Sequence, residues 1–134
     1  MNKKNWLTPI LIVALNALAI IIRWSSLPEL LPAHYDLQGN ADGTMPRSML
    51  FVYVLIGAVI CLIAYIIALM NQKLQKGLAI LASGICLVLL LSTMVTLTSG
   101  TMPIFMLAEP VVLLLAVVGC VVSVVRSRKK QSVR

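Results

Sequence analysis

Charged residues are scarce in this sequence, and acidic residues are the scarcest. Only 11% of the 134 residues are charged, and just four are Asp or Glu. A soluble domain carries roughly 25% charged residues. The chain therefore has too few polar groups to face water on all sides, which excludes an ordinary soluble domain and indicates that part of its surface meets lipid.

The sequence also lacks a cysteine pattern typical of a metal site. Cys61, Cys86 and Cys120 are odd in number, lie too far apart for a zinc ribbon and each fall within an apolar run, so they predict helix packing instead. The net charge of +7 does not predict nucleic-acid binding, because the basic residues flank apolar runs and form no basic face on a soluble surface. We expect no nucleic-acid partner and no cofactor.

Four long apolar runs are the main feature that the sequence does have. A membrane-spanning helix needs about 20 mostly apolar residues, and we expect spans at about 7–24, 49–70, 77–98 and 104–125, with Pro110 able to kink the last one or shift its start. The runs are continuous and do not alternate, which favours helices over a β-barrel. Residues 1–134 are therefore predicted to form one all-α, polytopic membrane domain, a four-transmembrane-helix bundle.

The distribution of basic residues predicts the orientation of the bundle. Nine of the eleven Lys and Arg residues lie in the N-terminal tail, the loop between the second and third spans, and the C-terminal tail, whereas only Arg23 and Arg47 lie near the other two loops. By the positive-inside rule, both termini are predicted to be cytoplasmic. All four acids then belong to the outer side, and the basic tail "RSRKKQSVR" is expected to meet anionic lipid.

Several uncharged residues within the spans predict contacts between helices. Asn16 lies near the middle of the first span, where a buried amide is expected to face another helix. Tyr53, Gly57, Cys61 and Tyr65 follow one another at four-residue spacing in the second span, which places them on one helical stripe. We interpret this stripe as a helix-packing face, with a ligand groove as the alternative.

A second group of polar residues surrounds the loop between the third and fourth spans. Ser92, Thr96 and Ser99 share one face of the third span, where their hydroxyls either bond to their own helix or line a polar cleft. Glu109 is either an interfacial loop residue before Pro110 or, if the fourth helix begins near residue 104, a carboxylate within the helix that faces the same cleft. An ionisable group within a span is costly and marks function by default.

The loop over residues 25–48 differs most from the rest of the chain, since it holds three of the four acids and the only histidine. Two prolines end the first helix, and the turn formers Gly39, Asn40, Asp42 and Gly43 follow. If "AHYDL" is extended, alternation places His34 and Asp36 on one side. We therefore expect a short ordered cap on the outer side.

Three kinds of chemistry fit this loop. His34, Asp36, Asp42 and Glu109 have the side-chain types of a divalent-metal site, although their spacing matches no specific metal motif. His34 with an acid would suit general acid–base catalysis. The interpretation we favour is a hydrogen-bonded loop that recognises a peptide or lipid, in which Asp42 satisfies turn amides and either His34 pairs with Asp36 or Arg47 pairs with an acid.

The pattern Leu27-Pro28 … Pro32-x-His34 … Gly39-x-x-Asp42-Gly43 … Arg47 resembles the short N-terminal membrane domain of bacterial SdpI-type proteins. In that family, a basic residue that is usually Lys precedes the second span, and Arg47 stands at this place here. Relatives of this type commonly continue into a second membrane segment, so the chain would correspond to the first module. The motif positions, together with Asp36 of the same loop and Glu109 of the fourth span, give the candidate ligand-binding residues Pro32, His34, Asp36, Gly39, Asp42, Gly43, Arg47 and Glu109.

The resemblance implies a multi-pass protein of the bacterial cytoplasmic membrane that is not an enzyme. The best-known relatives protect a producing cell against its own secreted toxic peptide, and some also signal by holding a repressor at the membrane. The implied partners are membrane lipid, a secreted cationic peptide, and a cytoplasmic regulator or a second copy of the chain. Two alternatives stay open: an outer-face membrane enzyme, metal-dependent or not, acting on a lipid or peptide, and a small accessory subunit of a membrane complex.

Overall fold

The chain folds into four helices, with a two-stranded sheet between the first and the second. The computed structural model describes residues 3–36, 40–98 and 103–132. The helices are α1 (Leu7–Arg23), α2 (Leu50–Met70), α3 (Gln75–Leu97) and α4 (Pro103–Ser132), and the strands are β1 (Leu30–Tyr35) and β2 (Ala41–Pro46). Short 3₁₀ turns occupy Lys3–Trp6, Trp24–Ser26, Arg47–Met49 and Gln72–Leu74.

Within the described ranges, four helices are long and apolar enough to cross a membrane. Large apolar side chains are exposed along α1, α2 and α4, for example Leu11, Leu62 and Leu114, whereas few are exposed on α3. Contiguous apolar surface of this extent is costly in water and favourable against lipid. The fold is that of a multi-pass membrane protein, as the apolar runs predict.

α3 is the central helix of the bundle. It packs against α1, α2 and α4, whereas α4 rests mainly on α3. In the most apolar window of each span, 33% of α3 is buried but only 6% of α4. The buried positions of α3 include many small residues: Gly77, Ala79, Ala82, Gly84 and Cys86. Small residues let helix backbones approach closely in lipid, and this explains how one helix accommodates three neighbours.

The contact between α3 and α4 is the tightest in the bundle, and glycines make it possible. A Cβ added at Gly84 would collide with the Cβ of Ala116 on α4. A Cβ at Gly77, seven residues earlier and about two turns away, would lie 3.0 Å from Val124 Cγ2 and 3.2 Å from the carbonyl oxygen of Cys120. Close approach over two turns fixes the position of α4 along α3.

The predicted packing stripe of α2 is confirmed over its small residues. Gly57 and Cys61 are buried, and a Cβ at Gly57 would lie 3.3 Å from Val13 Cγ2 of α1 and 3.7 Å from Cys86 Sγ of α3. The Sγ atoms of Cys61 and Cys86 are 3.4 Å apart. The stripe therefore packs α2 against α1 and α3, within the chain.

The N-terminal turn and the middle of α1 complete this core. The Trp6 ring meets the Tyr65 ring edge-on, with centroids 5.2 Å apart. Asn16 is only 2% exposed, which confirms that its amide faces protein. Its Oδ1 has no hydrogen-bond partner among the described residues.

The ends of α4 differ from the predicted span of 104–125. The helix begins at Pro103 and continues through the basic segment to Ser132. The apolar run marked where the membrane-spanning part ends, but Arg, Lys and Gln are good helix formers and do not stop a helix. Pro110 lies inside α4, so Glu109 belongs to a helix.

Candidate functional site

The loop over residues 25–48, which we call the motif loop, forms an antiparallel β-hairpin at one end of the bundle. We call this end of the bundle the hairpin end. The predicted all-α class thus holds for the spans but not for this loop, where β1 pairs with β2. The partners are Leu30 with Pro46, Leu31 with Met45, Pro32 with Thr44, His34 with Gly43, and Tyr35 with Ala41. The pairing brings the Pro-x-His part of the motif directly opposite the Asp-Gly part.

Two register shifts interrupt the ladder on either side of His34. From the pairing, Ala33 is the extra residue on β1 and Asp42 is the extra residue on β2. Bulges of this kind twist a hairpin and re-aim side chains. The extra residue of β1 comes before His34, so the expected placement of His34 and Asp36 on one side stays a prediction. The backbone of His34 is part of β1, but its imidazole lies outside the described atoms.

Asp36 bonds Asn40 across the hairpin turn. Its Oδ1 accepts a hydrogen bond from the backbone N–H of Asn40 at 2.8 Å, and its Oδ2 accepts one from Asn40 Nδ2 at 3.1 Å. The backbone N–H of Asp36 donates to the Asn40 carbonyl at 2.9 Å. Asp42 lies in β2, and its expected bonds to the turn amides stay a prediction, because residues 37–39 lie outside the described residues. Gly39 lies outside the described residues.

Apolar residues seat the hairpin on the helices. Leu31 of β1 is almost fully buried and joins a cluster with Ile20 of α1, Leu50 at the start of α2 and Leu97 at the end of α3. Met45 of β2 packs against the same cluster. Three helix ends thus share one apolar floor beneath the hairpin, and the burial of these side chains holds the hairpin in place.

Arg47 joins the two ends of the motif loop. Its Nη1 donates hydrogen bonds to the carbonyl oxygens of Leu27 at 3.2 Å and Trp24 at 3.4 Å. Its guanidinium carbon lies 4.6 Å from the centre of the Trp24 ring, and its backbone N–H donates to the Glu29 carbonyl at 2.9 Å. A guanidinium suits a site that combines carbonyl acceptors with an aromatic face.

The described contacts of Arg47 are thus with carbonyl oxygens and an indole ring, and the expected pairing with an acid is not found among them. The carbonyls at the end of α1 need donors, since the last turn of a helix leaves them without helical partners. Arg47 supplies such donors from the start of α2. The sequence signal for this contact was a Trp at the end of the first span, opposite a lone Arg at the start of the second.

The exposed surface of the hairpin combines acids with an apolar side chain. Glu29 and Asp42 are exposed, and Leu30, which follows Glu29 at the start of β1, is 61% exposed. The positive charge of Arg47 is half-buried against Trp24, so it does not lie on this surface. The hairpin therefore presents negative charge and apolar area together.

Glu109 makes a contact of its own between two helices. Ser92 Oγ of α3 donates a hydrogen bond to Glu109 Oε1 of α4 at 2.8 Å. Ser92 lies five residues before Leu97, or about 7–8 Å along α3 from the apolar floor. Glu109 therefore lies within α4 and faces α3, whereas a cleft that it shares with the first loop stays a prediction. Thr96 donates to the carbonyl of Ser92 at 3.1 Å and Thr93 to that of Leu89 at 2.9 Å, so those two hydroxyls bond within their own helix. Ser99 lies outside the described residues.

The described side chains do not bring the predicted carboxylate ligands together, and the imidazole of His34 lies outside them. Among the described residues, no three His, Cys, Asp or Glu side chains come close enough to hold a metal ion. Asp36 is bonded in the turn, Glu109 is bonded to Ser92, and Asp42 is exposed on the ladder. Those carboxylates thus lie in three separate surroundings.

Of the predicted site residues, the hairpin brings together Pro32, Asp42 and Gly43 with the backbone of His34, while Arg47 anchors its base. Glu109 stands apart, on the α3–α4 contact. Sequence reasoning missed Asn40 as the partner of Asp36 and Trp24 as the partner of Arg47. The spacing Asp36-x-x-x-Asn40 across "LQG" was the signal for the first, since Asp and Asn are typical of turns whose side chains bond nearby backbone groups.

Residues 11–58 match the family model described as Domain of unknown function (DUF1648), over about a third of the chain. The match covers most of α1, the whole hairpin and the first part of α2. It is the kind of module found in SdpI-like membrane proteins. No curated protein sequence and no solved structure matches the chain.

Proposed function

We propose that this protein recognises a cationic, membrane-active peptide at the hairpin end and thereby confers resistance to the peptide or senses it. One observation carries the proposal. The hairpin is held on three helix ends, and Glu29, Leu30 and Asp42 are all exposed on it or just before it, whereas Arg47 is half-buried.

The chemistry of this surface fits a cationic amphipathic peptide. Carboxylates attract Lys and Arg side chains and raise the local concentration of a positively charged ligand. An exposed leucine offers apolar contact to the other face of the peptide. A membrane-active peptide carries both features, because its basic face binds anionic lipid and its apolar face enters the bilayer.

The rigidity of the hairpin matters for recognition. The Asp36–Asn40 turn, the apolar floor and the Arg47 anchor hold the strands before a ligand arrives, so binding does not have to order a loose loop. In our proposal the hairpin faces the outside, in agreement with the predicted orientation. A response in the cytoplasm, through a regulator, would then be transmitted by α1 and α2, which flank the hairpin.

The proposal can be tested by binding and by survival. The full chain is placed in neutral-lipid nanodiscs and titrated with a fluorescent Lys/Leu amphipathic peptide at low and high salt. We expect the double variant Glu29→Gln/Asp42→Asn to weaken binding by about three- to tenfold at low salt, because each exposed ion pair contributes at most about 1 kcal/mol. Binding to the original chain should weaken as salt screens the carboxylates.

Glu109→Gln is the matched control, since it also removes one carboxylate but lies on the α3–α4 contact. It should leave peptide binding unchanged. In cells that express the chain, the double variant should lose survival under peptide challenge and the control should keep it. Equal peptide affinity of the original chain and the double variant would overturn the proposal.

A further inference from the structure

We propose a second site at the opposite end of the bundle, which binds the headgroup of an anionic phospholipid between α1, α3 and α4 and is centred on Lys76. We call this end, where α1 begins, α3 begins and α4 completes its span, the basic end. The site is independent of the hairpin and of the peptide-binding proposal.

Two clefts meet at Lys76. One, of about 510 Å³, lies between α3 and α4 and brings Lys76 and Arg126 together. The other, of about 430 Å³, lies between the N-terminal turn, α1 and α3 and brings Lys76 and Lys4 together. Lys76 and Ile80 line both clefts. Lys76 thus shares one cleft with Arg126 of α4 and the other with Lys4 of the N-terminal turn.

The clefts are suited to an anion. The four acids of the chain lie at 29, 36, 42 and 109, and none is among the described residues that line either cleft. Among the described lining residues, no carboxylate therefore competes with a bound phosphate for Lys76 or Arg126. Basic clefts between membrane helices are typical binding places for anionic headgroups.

Cations are the main donors in these clefts. The hydroxyls of Ser127 and Ser83 already donate to carbonyls of their own helices, at 2.9 Å and 2.7 Å. Asn5 lines the second cleft, and its Nδ2 is a buried donor without a partner among the described residues. The site therefore offers ammonium and guanidinium groups to phosphate oxygens, a charge-assisted contact roughly twice as strong as a neutral one.

Apolar residues next to the cations favour a lipid over free phosphate. Ile80, one turn from Lys76, lies in both clefts, and Val122 lies beside it in the first. The side chains of Ile80 and Val122 are about 40% exposed, and both belong to helices apolar enough to span the membrane. A phospholipid can place its phosphate on Lys76 and lay an acyl chain along Ile80, whereas inorganic phosphate gains nothing from the apolar side.

Lys73 provides a matched control for Lys76. Both lysines are exposed, Lys73 in the turn Gln72–Leu74 and Lys76 three positions later in the first turn of α3, but Lys73 is not among the described lining residues of either cleft. A diffuse electrostatic attraction to an anionic surface would depend equally on both charges. A built site depends on Lys76 and Arg126 and not on Lys73.

The test uses the purified full chain in neutral detergent, titrated with fluorescent phosphatidylglycerol and with phosphatidylcholine that carries the same chains. We expect saturable binding of phosphatidylglycerol only. Lys76→Gln and Arg126→Gln should each weaken it by about fivefold, the effect of one basic residue near an anionic headgroup. Lys73→Gln should change it by less than about twofold, and Arg126→Lys should retain most of it.

Inorganic phosphate added to the same titration distinguishes a lipid headgroup from free phosphate as the bound anion. Phosphate should displace the lipid only weakly, because it lacks the contact with Ile80. Displacement at equal concentrations would overturn the assignment to a lipid. Equal losses of phosphatidylglycerol affinity in Lys73→Gln and Lys76→Gln, with unchanged melting temperatures, would overturn the proposal of a site centred on Lys76.

Discussion

The two ends of the bundle differ in how far they are covered by protein. At the hairpin end, the hairpin covers three helix ends, and Arg47 donates hydrogen bonds to carbonyl oxygens just after α1. At the basic end, Gln72–Leu74 forms a single short turn between α2 and α3, and two clefts remain open beside Lys76. One end is closed by protein and exposes acids, and the other is open and exposes cations.

This difference shows that charge alone does not decide what a charged residue does in a small membrane protein. Arg47 lies in the turn before α2, and Arg126 lies within α4 near the end of its membrane-spanning part. Arg47 is half-buried on Trp24 and stabilises the fold, whereas Arg126 is exposed beside a cleft. We therefore expect variants at the closed end to affect stability, and variants at the open end to affect ligand binding with little loss of stability.

Among the variants that test the difference between the two ends, a substitution at Gly84 should have the largest effect on stability. The reason is that the α3–α4 contact positions residues at both ends. Gly84→Ala places a methyl group against Ala116 and should lower the free energy of unfolding by about 2–3 kcal/mol, as overpacking does. It should also weaken the Ser92–Glu109 contact and the cleft between Lys76 and Arg126. Denaturant titration in detergent measures the loss.

Gly57→Ala is the matched control for Gly84→Ala. Its new methyl group would meet side-chain atoms at 3.3 Å or more, which can move, so we expect a loss below about 1 kcal/mol. Similar losses at the two glycines would contradict the close α3–α4 approach.

A smaller effect is expected from the anchor at the closed end. Arg47→Gln removes a charge-assisted donor to Leu27 and Trp24 and the contact with the indole ring. We expect a loss of about 2 kcal/mol and faster hydrogen exchange in β1 and β2, measured by mass spectrometry. Arg23→Gln removes an exposed arginine at the end of α1 and should leave exchange unchanged. Unchanged exchange in Arg47→Gln would show that the apolar floor holds the hairpin without the anchor.

The smallest effect is expected for the hydrogen bond between α3 and α4. Ser92→Ala removes the donor to Glu109 and should cost about 1 kcal/mol. Thr96→Val removes a hydroxyl that bonds within α3 and should cost less. In a double-mutant cycle, Glu109→Ala should cost less in the Ser92→Ala background than in the original chain. Additive losses would show that the two residues are not coupled.

Much of the fold could be predicted from the sequence, because the dominant effect is local in the chain. Twenty apolar residues in a row must lie in lipid and must satisfy their backbone groups internally, so the spans follow from composition. The hairpin was less predictable. The extended segment was expected, but the bulges at Ala33 and Asp42 depend on how two strands pair, and the sequence of either strand alone does not fix that register.

The candidate site was predicted as a segment more successfully than as a set of contacts. The sequence singled out the motif loop and allowed Glu109 to lie within the fourth helix. It did not predict Asn40 as the partner of Asp36 or Trp24 as the partner of Arg47, because a polar side chain has many possible partners in the sequence and only spatial proximity selects one. It also treated the basic residues as an orientation signal, since nothing in the sequence places Lys4 and Arg126 beside Lys76.

By itself, the sequence determined that this chain is a four-span helical protein with its acids clustered toward one side and most of its cations toward the other. Apolar length and charge position are properties of the chain, and they act through the surrounding solvent. Only the tertiary structure decided that α3 is the central helix, that Arg47 turns inward and that clefts open on both sides of Lys76. Those outcomes depend on which small residues meet across helices, and that is settled when the helices pack.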